Sequence, residues 1–159
     1  MRRLTVFLML AVILALPSTS PAAFKLGAGW GVTSFQNDLD FIDSGPSFSL
    51  EAVLGTGTTG LLLGGLWSSH DANIDYQSFM AGPVWSVGGA RIYAALSNHE
   101  VDNAGTVTDG WGVTAGGGAG WKLAPMTSLL LDVRVSNWEG SNNTDVGTGT
   151  LQLLFQFGL

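Results

Sequence analysis

Residues 150–159 read TLQLLFQFGL. Leu151, Leu153, Phe155, Phe157 and Leu159 recur at every second position, while Gln152, Gln156 and Gly158 share the alternate positions with Leu154. A strand sends successive side chains to opposite faces, so this segment is expected to be a β-strand with one strongly apolar side.

The same test, carried outward from that strand, finds a near-perfect match at residues 111–123, WGVTAGGGAGWKL. Trp111, Val113, Ala115, Gly117, Ala119, Trp121 and Leu123 share one parity; Gly112, Thr114, Gly116, Gly118, Gly120 and Lys122 share the other. So many glycines weaken a strand in a soluble sheet. Inside a narrow barrel they make room for large side chains from opposite strands. Trp111 and Trp121 are ten positions apart. At about 3.3 Å per residue and a tilt near 40°, that is roughly 25 Å along a membrane normal, about the height of an outward apolar band between two aromatic girdles. Six further segments alternate: 24–33, 47–54, 61–69, 76–85, 90–97 and 129–138. The parity of 61–69 is open, because Leu61, Leu62 and Leu63 form a continuous apolar run.

Eight strands close an antiparallel up-and-down transmembrane β-barrel, the expected all-β fold. Closure is needed because each unpaired backbone group in lipid costs several kcal/mol. The connections GTGTTG, SVGG and LAPMTS are short and uncharged, whereas QNDLDFIDSGP, SSHDANIDY, SNHEVDNAGTVTDG and EGSNNTDVGTG are longer and acidic. They are expected to be turns at one end and loops at the other, with both termini at the turn end, the periplasmic side of a bacterial outer membrane. Charge placement agrees. Lys25, Arg91, Lys122 and Arg134 all take inward parity, as do Glu51 and Asp132, and no outward position within these segments is charged. A soluble β-sandwich would carry its charges on the outward face.

The start of the chain is different in kind. Arg2 and Arg3 precede a 13-residue apolar run at 4–16, and PSTSPAA follows. The run is too short for a membrane helix, so residues 1–23 are expected to be a cleaved signal peptide and 24–159 the barrel domain. The cut is expected after Ala22 or Ala23. This segment holds two of the six basic residues and none of the twelve acids, so the remainder has four basic groups and a net charge of −8. That balance argues against nucleic acid as a partner. There is no cysteine, which excludes disulfides and lipoprotein acylation.

Three groups could carry chemistry. Lys25, Glu51, Arg91, Lys122, Asp132 and Arg134 are expected to form an interior polar network; it could fill the lumen, bind a ligand or line a narrow pore. Ser97, His99 and Glu100, with Ser69 and His70 near another connection, could suggest a lipid-modifying nucleophile and base. Ser97 and His99 share a face while Glu100 points the other way, so no oriented triad is expected and no catalytic residue is assigned. Asp38, Asp40 and Asp43 could hold a divalent ion, but they match no calcium-loop pattern, and neither metal nor cofactor is expected. Trp30, Trp85, Trp111 and Trp121 are the expected aromatic girdle.

The stretch SFMAGPVWSVGGARIYAAL, with Ala81-Gly82-Pro83, Trp85 and Ile92-Tyr93, resembles the Ail/OmpX/Lom family of small outer-membrane barrels. GGGAGWKLAPMTSLLLDVRVS, with Pro125-Met126 and an Asp-containing strand, resembles the next part of the same family. The resemblance implies a non-enzymatic, monomeric surface protein serving envelope integrity, adhesion or resistance to host factors. A narrow channel for small or hydrophobic solutes and a lipid A-modifying enzyme are the alternatives. Implied partners are outer-membrane lipid and lipopolysaccharide, the barrel-assembly machinery, and an extracellular protein held by the loops. Family members often end in Phe; this chain ends in Leu159, so recognition of the terminal strand would fall on Phe155 and Phe157.

Overall fold

The computed structural model describes residues 23–37, 40–56, 58–70, 74–141 and 145–158. The expected signal segment (all but Ala23), Asp38 and Leu159 lie outside them. Eight strands follow in order: β1 (Ala23–Asn37), β2 (Asp40–Thr56), β3 (Thr59–His70), β4 (Ile74–Val87), β5 (Ala90–Asn103), β6 (Thr106–Ala124), β7 (Thr127–Gly140) and β8 (Asp145–Gly158). Each pairs antiparallel with its sequence neighbours, and β1 pairs with β8 to close the barrel. The terminal strand is thus the closing strand, with Phe155 opposite Ala28 and Phe157 opposite Leu26.

Parity follows the sequence pattern. Leu151, Leu153, Phe155 and Phe157 are exposed on the exterior, as are Trp30, Val32, Ile92, Leu96, Val113, Val133 and Val135. Gln152, Leu154 and Gln156 are buried on the other face. The open parity of β3 resolves: Leu62, Leu66, Ser68 and His70 are buried, and Leu61 is exposed. Water does not favour a continuous apolar exterior of this extent, whereas a bilayer does.

Two expectations are corrected. Among the described residues, the four acidic connections are mostly strand, not loop. β5 runs on to Asn103 and β6 begins at Thr106, joined through Ala104 and Gly105. Both have positive φ, 49° and 94°, the two-residue turn that suits strand twist. Gly105 N–H donates to Asp102 Oδ1 at 2.8 Å. β6 has 19 residues, roughly 50 Å along the axis at a 40° tilt and about twice the apolar band. The barrel therefore projects beyond the membrane as paired hairpins, and there the outward positions of the strands become charged: Asp75, Glu100, Asp102, Asp109, Glu139 and Asp145.

The second correction concerns glycine. The space it leaves is filled from adjacent strands, not opposite ones. A Cβ on Gly116 of β6 would strike the Tyr93 ring of β5, and one on Gly27 of β1 would lie 2.9 Å from Glu51 Cγ of β2. In both cases the large side chain leans over its direct cross-strand partner, and only a residue without a side chain tolerates that.

Arginine at an exterior site is expected to destabilise according to depth. Val133→Arg, at the middle of β7, should cost about 2–4 kcal/mol, and Val107→Arg, beside the projecting β5–β6 turn, about 0–1 kcal/mol. Urea unfolding from lipid vesicles measures both; equal penalties would contradict the assigned membrane level.

Candidate functional site

The lumen is built from the inward parity of all eight strands and is filled in layers. Toward the turn end, Leu62, Met80, Val84, Tyr93 and Ala95 form an apolar cluster, with Val53 packed on it. Toward the projecting end, Phe35, Leu66 and Tyr76 form another. Polar side chains fill the space alongside and between them.

Asp132 on β7 is the most connected group. Its Oδ1 accepts from Arg91 Nε at 3.0 Å and Nη2 at 2.7 Å. Its Oδ2 accepts from Tyr93 Oη at 2.9 Å, Gln152 Nε2 at 3.1 Å and Arg134 Nη2 at 3.3 Å. Arg91 also grips Glu51 in a fork, Nη1 to Oε1 and Nη2 to Oε2. Gln156 Nε2 donates to Glu51 Oε1 at 2.7 Å, and Ser49 Oγ to Gln152 Oε1 at 2.7 Å. Arg134 Nη2 lies 3.9 Å from Glu51 Oε2, and its Nη1 reaches Met80 Sδ at 3.9 Å. β2, β5, β7 and β8 are thereby tied across the lumen. Two arginines meet two carboxylates, so the network is neutral. Burying such charges is tolerable only as a complete set.

The six residues singled out from sequence therefore divide. Glu51, Arg91, Asp132 and Arg134 come together. Lys25 and Lys122 do not join them: they stand at the turn-end mouth, where Lys25 is half-buried and Lys122 exposed. Sequence reading missed Ser49, Tyr93, Gln152 and Gln156 as members. Their inward parity was readable, but which of them meet depends on barrel stagger.

Ser97 and His99 do touch. His99 Nε2 is 2.7 Å from Ser97 Oγ, and Nδ1 is 2.7 Å from Tyr76 Oη. Thr114 Oγ1 donates to Ser97 Oγ at 2.9 Å and lies 2.7 Å from Ser136 Oγ. The imidazole stacks between Tyr76 and Trp138, at 5.9 and 5.3 Å. Glu100, next along the chain, faces outward. Ser97 and His99 are 1% and 0% exposed, so no substrate carbonyl reaches the hydroxyl, and the group that orients the ring is a phenol. Ser68 Oγ similarly lies 3.0 Å from His70 Nε2, whereas Ser69 faces out and donates to Asp75 Oδ1 at 2.8 Å. Among the described residues no cluster of three or more histidines and carboxylates is placed to hold a metal ion.

Of the four expected girdle tryptophans, Trp111 and Trp121 stand exposed at 73% and 57%, ten residues apart on β6. Trp85 lies toward the turn end of β4. Trp30 begins an exterior row, 5.4 Å from Phe48, which is followed by Trp67 at 6.2 Å and Phe79 at 5.7 Å. Trp67 was hidden by the unresolved parity of β3.

Asp132→Ala leaves two buried arginines short of a carboxylate. It is expected to cost about 3–5 kcal/mol in urea unfolding from lipid vesicles; a loss below about 1 kcal/mol, the range of an exposed ion pair, would contradict the network.

No protein-family model and no curated protein matches this chain. Solved structures do. Neisserial surface protein A (NspA) aligns with a TM-score of 0.63 at 16% identity, over 85% of this chain and 97% of its own. Ail, the attachment invasion locus protein of Yersinia pestis, aligns with a TM-score of 0.59 at 16% identity, over 86% and 99%; its complex with the heparin analogue sucrose octasulfate aligns at 0.58. At such identity the likeness is one of fold. In its closed eight-stranded antiparallel barrel, the chain is similar to the small outer-membrane barrels NspA and Ail.

Proposed function

We propose that the chain is a non-enzymatic barrel of the bacterial outer membrane, acting at the cell surface through its projecting hairpins. The observation that carries this reading is the pairing of a filled, charge-neutral lumen with an apolar exterior. An interior bridged by Arg91, Glu51 and Asp132 leaves little room for a solute path, which argues against a channel. The burial of Ser97 and His99 argues against lipid modification. On the outer side, the hairpin surface is what the barrel offers to other molecules. Envelope integrity, adhesion and resistance to host factors are the roles such a surface supports.

Several features bear on partners. Closure leaves no free edge strand, which favours a monomer. Short turns at one end support a periplasmic position for that end and for both termini. The exterior fits outer-membrane lipid, including lipopolysaccharide. Ail has been solved with a polyanion, but Asp75, Glu100, Asp102, Asp109, Glu139 and Asp145 make the projecting surface of this chain acidic. An extracellular protein with a basic face suits it better.

Reconstituted protein is expected to show no steady, reproducible single-channel openings in planar bilayers; uniform openings would overturn the filled-lumen reading. The terminal strand is proposed to present Phe155 and Phe157 to the barrel-assembly machinery. Phe155→Asp with Phe157→Asp is expected to abolish insertion, followed by protease protection in outer-membrane fractions, and normal insertion would contradict it.

A further inference from the structure

The turn-end mouth of the lumen opens into a cavity of about 490 Å³. Lys25 of β1, Lys122 of β6 and Arg91 of β5 line it, with Ser128 and Gln156. Arg91 is already matched by Glu51 and Asp132, and the buried network beneath is neutral. Among the described residues that line the cavity, the remaining charge is that of Lys25 and Lys122. Their cross-strand neighbours do not offset it: Lys25 faces Val53 and Gly158, and Lys122 faces Ser128. In a chain that is acidic overall, positive charge is concentrated at the turn-end mouth.

We propose that this mouth is a binding site for a phosphoryl group, carried by a soluble phosphate or by a lipid headgroup. Two ammonium groups and a hydroxyl supply several donors around one concavity. A phosphoryl group offers enough acceptor oxygens to use them together, and charge-assisted hydrogen bonds are the strong ones. Apolar wall from Leu130 continues beside these donors, so the organic part of a phosphate ester finds a surface as well. The closed network below makes the site a blind vestibule and not the entrance to a pore.

The experiment uses the folded full-length barrel, with amide chemical shifts of Gly89 and Gly120, which line the mouth, as the readout. Inorganic phosphate is titrated against protein in a phosphate-free maltoside detergent at constant ionic strength. In a second arm, nanodiscs of a phosphate-free galactolipid are compared with nanodiscs containing phosphatidylglycerol. Saturable shifts confined to the mouth are expected. With Lys25→Gln and Lys122→Gln together, binding should weaken by about tenfold or more, the worth of one to two charged hydrogen bonds. With Lys25→Arg and Lys122→Arg, it should persist. Saturation by free phosphate identifies a soluble ligand; a response to phosphatidylglycerol alone identifies a lipid headgroup. Saturation by neither probe, or equal saturation in the glutamine variant, would overturn the proposal.

Discussion

Every backbone N–H and C=O inside a bilayer must find a partner within the protein, because the hydrocarbon supplies none. For strands the only solution is closure, and here the β1–β8 ladder from Lys25–Gly158 to Asn37–Val146 provides it. Closure then dictates the rest. Once eight strands form a ring, each residue faces either lipid or a lumen about as wide as the side chains that fill it. A charge within the membrane's depth has one admissible face, and where it is buried there it must meet its opposite. Arg91, Glu51, Asp132 and Arg134 are buried together because none of them could be buried alone.

The same constraint explains the glycines. A ring this small brings inward side chains over adjacent strands, so a bulky phenol such as Tyr93 needs a neighbour like Gly116. The polar network in turn holds the lumen shut. Its carboxylates and guanidinium groups bridge β2, β5, β7 and β8, adding ties that the ladder between neighbours cannot. The exterior asks less of its residues: leucine, valine and phenylalanine serve equally well where the only requirement is solubility in lipid.

The architecture was legible where that requirement applies. Leu151 to Phe157, Trp111 to Leu123 and Ile92 to Leu96 each alternate because one side meets hydrocarbon and the other a polar or cramped interior. Legibility stops where the lipid stops. At His99, Glu100, Val101 and Asp102, both faces accept polar groups and the period fades, so strand read as loop. Ala104-Gly105 lacks the Asn-Gly or Gly-Gly signature that marks a tight turn, so that hairpin was hidden too. At Leu61, Leu62 and Leu63 the opposite failure occurs: leucine suits the lumen as well as the lipid. The site was legible in kind and not in membership. Inward parity exposed the four network charges, but the meeting of Ser97, His99 and Tyr76 depends on the register between β4 and β5 and on the diagonal lean of side chains, which one strand's pattern does not carry.

Alternate residues of the closing strand face lipid and a sealed interior. The chain has no native cysteine, so single-cysteine variants at positions 151 to 156 in reconstituted barrel test it directly. Fluorescent labels at 151, 153 and 155 are expected to be quenched from the lipid phase and untouched by an aqueous quencher. Thiols at 152, 154 and 156 are expected to resist labelling by charged reagents. Aqueous access to the odd positions would make the exterior a soluble surface, and free aqueous access to the even positions would make the lumen an open pore; neither is compatible with a sealed barrel in lipid.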